Sequence, residues 1–129
     1  MRKDYSIKLG YINHLYPIEG YIEELIPKIK NSVINNGYWM KAIKIESNNR
    51  ILDGHHRFEI AKRLGLKRIP IVIFDYNQIK MWSLRDELVI TKEDVYRNSI
   101  KGILYPNKTV KHEFPDVSCK CKIKLEELR

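Results

Sequence analysis

Cysteine is scarce: the 129 residues contain two, Cys119 and Cys121, in one C-x-C near the end. That count excludes a disulfide scaffold, and without a second pair the motif does not supply the ligands of a structural zinc site. Long apolar runs are also missing. No stretch approaches the roughly 20 residues a membrane span requires, and Met1-Arg2-Lys3-Asp4 leads into no signal-peptide core. The expectation is therefore a cytoplasmic protein with no membrane partner. Glycine and proline are thinly spread, at 6 and 5 residues, so no linker, repeat or low-complexity tract is visible. A chain of this length supports one core, and a single domain over 1–129 is expected.

Charge is plentiful. Lys and Arg number 24 against 16 acidic residues, giving a net charge of +8 and a pI near 9.5. A balance of this kind favours an anionic partner such as a nucleotide, another phosphate ester or nucleic acid. The basic residues are scattered, those from Lys28 to Lys124 among them, without forming a long basic arm, which is the pattern of a solvated surface. Hydrophobic residues make up 43% of the chain and charged ones 31%, a globular composition.

Apolar positions Ile18, Ile22, Leu25, Ile26, Ile29 and Val33 recur every three or four residues, predicting a helix over about 18–34 that Pro27 kinks or divides. The alternation in 42–46, the turn residues Ser47-Asn48-Asn49 and the apolar 50–52 predict a hairpin. A short helix through Phe58, Ile60, Ala61 and Leu64, closed by Gly65, leads to a strand over 68–74 buried on both faces. Strand, helix and strand in about 25 residues predict a compact crossover unit. A further strand is expected at 80–85, and a helix capped by Thr91 with Glu93 and Asp94 in its first turn, ending at Gly102. Residues 103–115 read as a polar loop and 116–129 as a charged tail. The fold class is α+β: a small mixed sheet packed with helices.

The most informative stretch is ILDGHHRFEIAKRLG, residues 51–65. It sets Asp53, Gly54, His55, His56 and Arg57 at the start of a helix, where unpaired N–H groups and the positive end of the dipole attract anions. Gly54 admits a ligand close to the backbone. A guanidinium grips phosphate with two parallel hydrogen bonds, and the histidines add donors that can carry charge near neutral pH. Asp53 would repel a phosphate unless a metal lies between them, and the plainer alternative makes it the helix cap, with the histidines filling the turn. As a unit between strand and helix, the five residues point to a phosphate site.

This segment resembles the ParB/sulfiredoxin superfamily, in which a G-x-x-R loop at a helix start binds nucleotide phosphate, and within it the free serine kinases most of all. YPIEG (16–20) is similar to the family's P-x-E segment, and GILYPNKTVKH (102–112) to its G-x-L-x-P-K-T-x-x-H stretch, with one residue added between Pro106 and Lys108 and with Val110-Lys111 where Thr-Arg is common. The similarity spans about residues 12–115. It implies a ParB/sulfiredoxin-like fold and a kinase that moves a phosphoryl group from ADP or ATP, with Mg2+, to the hydroxyl of free L-serine. Glu19 would be the general base. Gly54, His55, His56 and Arg57 would hold the phosphoryl group, and Asp53 would orient the site or bind magnesium. Lys108, Thr109 and His112 would complete the phosphate or substrate site, and Trp82, Ser83 and Arg85 would line the amino-acid pocket.

Sulfiredoxin activity needs a cysteine where this chain has His55. ParB itself carries a helix-turn-helix domain further along, so sequence-specific DNA binding is not expected. The alternatives that remain are a ParB-like nucleotide- or DNA-binding regulator without serine turnover, and a kinase for another small alcohol.

Overall fold

The computed structural model describes residues 5–129, so the tetrapeptide read for a signal peptide lies outside the described residues. Among them, no helix is long and apolar enough to cross a membrane.

The hairpin appears where the turn residues place it, as antiparallel β3 (Ile43–Glu46) and β4 (Ile51–Asp53), with Asn49 in the turn at φ 71°. β5 (Arg68–Phe74) covers the expected range and lies inside a four-stranded sheet of order β1-β5-β3-β4. β1 (Lys8–Tyr11) runs antiparallel to β5, and β3 runs parallel to it. Ile69 and Ile71 enter one apolar cluster, Val72 and Phe74 another, so β5 is covered on both faces. The crossover differs from expectation in one respect. The hairpin carries β4 to the outside of β3, so β3, not β4, is the parallel neighbour of β5.

α1 (Ile26–Asn36) holds Pro27 in its first turn instead of being kinked by it. Proline lacks the N–H that a helix interior needs, and in the first turn that donor would be unpaired anyway. Residues 18–22 consequently stay outside the helix, with only a short 3-10 turn at Glu23–Leu25 before it. α2 (His55–Arg63) packs against α1, and Gly65, at φ 70°, follows its end. α3 (Lys92–Ile100) has the expected start: the Asp94 N–H donates to Thr91 Oγ1 at 3.1 Å, and Asp94 Oδ2 accepts from the Thr91 N–H at 2.9 Å.

Two C-terminal readings are corrected. The supposed polar loop contains β7 (Val110–Glu113), paired antiparallel with β6 (Lys80–Ser83), because Val110 and His112 turn inward while Lys111 and Glu113 stay in water. The supposed tail contains β8 (Lys120–Lys124), paired with β2 (Tyr38–Lys41). Cys121 and Ile123 pack on the main core, and Leu125 and Leu128 close it together with Trp39.

Candidate functional site

The sheet and the two flanking segments leave a cleft of about 510 Å³ lined by Glu19, Asp53, Gly54, His55, His56, Arg57, Lys108 and His112, together with Lys44, Asn107 and Lys111. Sequence motifs some ninety positions apart therefore meet in one place.

The first wall is the junction of β4 and α2. Gly54 is the N-cap of α2 at φ 110°, and no side chain caps the helix. Asp53 thus does not take the capping role that the plainer reading gave it, and the first-turn N–H groups face the cleft without a side-chain acceptor. A Cβ at position 54 would stand 2.5 Å from Ile43 Cγ2, so glycine is required for packing on β3 as well as for its φ. Asp53 is exposed at the rim, directly across from Lys44 in the β3–β4 register. Lys44 Nζ itself lies over the Phe114 ring, 4.3 Å from its centroid, and both residues belong to the cleft lining.

The histidines depart from expectation. His55 is buried, and its Nε2 accepts the N–H groups of Ile18 and Glu19 at 3.1 and 3.2 Å. His56 Nε2 accepts the N–H of Ile22 at 3.0 Å. A ring nitrogen that accepts cannot also carry the proton, so both rings are neutral, protonated on Nδ1. Burial pushes His55 down to about 3, and a second proton nearby on His56 or His112 would lower it further. Burial, followed by Arg57 and Lys108, lowers His56. Instead of bringing charge to a phosphate, the pair staples residues 18–22 onto the helix start, and so fixes where Glu19 stands.

The second wall joins Glu19 to the loop before β7. Ile18 and Gly20 exchange backbone hydrogen bonds with Tyr105, which brings the Glu19 carboxylate beneath the turn at 107–110. Lys108 takes the left-handed conformation, φ 58°. A turn of that kind makes successive N–H groups converge into an anion-binding hollow. Here the occupant is Glu19 Oε2, which accepts from Thr109 N at 3.1 Å and Val110 N at 2.6 Å. Burial raises the Glu19 pKa, the N–H groups of 108–110 pull it back, and nearby Asp53 raises it further; the net direction is upward. Both bonds fall on Oε2, and among the described residues none of ordinary length is made by Oε1.

Thr109 is itself fully buried and acts through its backbone, while its hydroxyl donates to Pro106 O. His112 is buried with Nε2 2.9 Å from the Tyr76 hydroxyl, and burial pushes it down to about 4, with Lys92 and Lys111 lowering it and the Leu52 backbone opposing. Trp82, Ser83 and Arg85 are not brought to the cleft lining. Trp82 is half exposed on β6, Ser83 hydrogen-bonds Arg85, and Arg85 Nε reaches only Thr109 Oγ1 at 3.3 Å.

Sequence reasoning missed Lys44, Lys111 and Tyr76. Lys44 was legible in principle, since the alternation that buries Ile43 and Ile45 sends it to the other face. Tyr76 had no local signal; its role depends on the fold placing it beside His112.

No protein-family profile matches the sequence. Among curated proteins, an uncharacterised protein of Acidianus two-tailed virus is 32% identical over 109 residues, covering 73% of this chain and 33% of its own length. A ParB-like protein of Sulfolobus acidocaldarius is 32% identical over 62% of this chain and 46% of its own length. An ATP-dependent L-serine kinase of Desulfurococcus mucosus is 32% identical over 50% of this chain and 26% of its own length. The chain thus spans less than half the length of the curated relatives it matches. Among solved structures, a free serine kinase in complex with AMP superposes with a TM-score of 0.88 at 17% identity, covering 98% of this chain and 95% of that one. A variant of a free serine kinase in complex with ADP gives 0.85 at 18% identity, with the same coverage. The chain therefore has the fold of the free serine kinases, as its motifs implied, and shares sequence with an L-serine kinase and a ParB-like protein.

Proposed function

We propose that this protein is a small-molecule kinase that transfers a phosphoryl group from ADP or ATP to the hydroxyl of free L-serine. The observation that carries the reading is the position of Glu19. A buried carboxylate, raised in pKa and held by one oxygen, faces the uncapped start of α2 across a single cleft.

Phosphoryl transfer asks the protein for positioning and for charge stabilisation, with little covalent chemistry of its own. The α2 N–H groups and Arg57 would receive the transferred phosphoryl group, and Lys108 and Lys111 would oppose its remaining charge. Glu19 Oε1 would accept the serine hydroxyl proton while Oγ attacks phosphorus. The bond from phosphorus to the bridging oxygen breaks as the new one forms, releasing AMP from ADP or ADP from ATP. A raised carboxylate pKa suits a general base near neutral pH. His55 and His56 would act as positioning residues for Glu19, and His112 would brace the β7 side of the cleft.

Magnesium fits this arrangement as the companion of the nucleotide. Among the described residues no cluster of three or more His, Cys, Asp or Glu could hold a metal alone. Mg2+ is commonly held by one or two carboxylates together with substrate phosphates, and Asp53 would supply that carboxylate. The ion would supply charge neutralisation at the phosphate oxygens.

The test is Glu19→Gln. Glutamine keeps an oxygen for the Thr109 and Val110 N–H groups, so the fold and nucleotide binding should survive. Serine phosphorylation should fall by about 10²- to 10⁴-fold. An unchanged rate would remove Glu19 from the role of base.

A further inference from the structure

We propose that the outer face of the β2–β8 ribbon is a binding surface for single-stranded nucleic acid. The lysine row of this surface lies outside the cleft lining, and the proposal does not rest on the kinase reading.

Along β8, Cys121 and Ile123 turn to the core while Lys120, Lys122 and Lys124 stand in water. Pairing with β2 adds Lys41, which lies directly opposite Lys120. Like charges in directly opposed positions destabilise a sheet, and neither strand carries a carboxylate to relieve them. None of these four lysines takes part in an ion pair among the described residues. An uncompensated cationic row is stabilised when a polyanion docks on it. Alternate residues of a strand repeat about every 6.8 Å, the order of spacing of successive phosphates in an extended single strand. The scatter of lysines along the sequence concealed this row, because only strand pairing brings position 41 to positions 120–124.

A second feature favours a single strand over a duplex. The ribbon borders a groove of about 130 Å³ between α1 and β2, whose lining combines apolar and aromatic side chains (Ile29, Val33, Tyr38, Trp39, Met40) with Lys41 of the row and with Arg57, which the cleft shares. Lys122 Nζ lies over the Tyr38 ring, 4.7 Å from its centroid, so one lysine of the row already packs on an aromatic residue of the groove. A single strand can lay phosphates along lysines and offer an unstacked base to an apolar or aromatic surface. A duplex would leave the groove unused.

The experiment is fluorescence anisotropy of a short labelled oligothymidylate over a range of salt concentrations, with three proteins. They are the wild type, the ribbon variant Lys120→Gln/Lys122→Gln/Lys124→Gln, and an equally charge-depleted control, Lys8→Gln/Lys28→Gln/Lys101→Gln. Each phosphate contact to a single strand contributes about 0.7 to the slope of log affinity against log salt. The ribbon variant should flatten that slope by about 2 and weaken low-salt binding by about tenfold or more, while the control stays near the wild type. Lys122→Glu should repeat the loss with a single exchange. Absence of wild-type binding, equal losses in both triple variants, or binding to phosphatidylserine vesicles without binding to the oligonucleotide would each overturn the proposal.

Discussion

One wall of the cleft, Asp53 to Arg57, is a single run of chain at a strand–helix junction. The facing wall brings Glu19 to the backbone of Thr109 and Val110 across a separation of 90 and 91 residues. The first depends on local geometry: a glycine at positive φ and an uncapped helix start. The second depends on long-range hydrogen bonds that hold one carboxylate oxygen. The histidine staples join the two, since His55 and His56 belong to the first wall and accept the N–H groups of Ile18, Glu19 and Ile22. Groups that look like phosphate ligands in sequence thus serve to align the walls, and the positive charges lining the cleft are those of Arg57, Lys44, Lys108 and Lys111.

Perturbing each wall in turn separates their contributions. Arg57→Ala removes the guanidinium from the local wall without touching the Glu19 hollow. Turnover should drop by about 10²-fold or more, the scale for loss of one donor to developing charge, measured as phosphoserine formed per unit time at saturating nucleotide. Gly54→Ala acts on the same wall through packing, because its Cβ would meet Ile43 Cγ2 at 2.5 Å and its φ is 110°. The cost of a left-handed non-glycine residue plus overpacking is about 3 kcal/mol, to be read as a lowered urea midpoint.

The joint between the walls is sensitive to pH. His55 has its pKa pushed down to about 3 by burial, from an ordinary 6.5. Between those values the unfolded chain binds a proton that the folded state does not, so stability is complete above about pH 6.5 and is lost as pH falls toward 3. From His55 alone the unfolding free energy should be about 2 kcal/mol lower at pH 5 than at pH 7. His112, pushed down to about 4, acts in the same direction. Equal stability at the two pH values would mean that these rings are not buried in neutral form. The smallest effect is expected from Tyr76→Phe, which leaves buried His112 Nε2 without its 2.9 Å partner. The loss should be about 1 kcal/mol, with nucleotide binding intact.

Local chemistry was legible in the sequence. The turn at 47–49, the Thr91–Asp94 capping box, the strand at 68–74 and the glycine–helix junction at 54–55 all declare themselves within a few residues. Pro27 was misread because periodicity extended past it, although proline is at ease in the first turn of a helix. β7 and β8 were missed because short strands acquire meaning only from partners, and Lys120, Lys122 and Lys124 mask the alternation of Cys121 and Ile123. The candidate base, Glu19, drew its significance from a motif resemblance. Its physical justification, two backbone N–H groups from a loop some ninety residues away, is visible only once the chain is folded.

The most direct test of the central claim is phosphorus NMR of the purified protein with Mg2+ and L-serine, in parallel samples containing ADP and ATP. A phosphoserine resonance growing in at least one sample, together with AMP or ADP as the matching product, is the predicted result. Nucleotide resonances that shift or broaden on adding protein, with no phosphoserine in either sample, would contradict serine phosphorylation and leave a nucleotide-binding cleft without that chemistry.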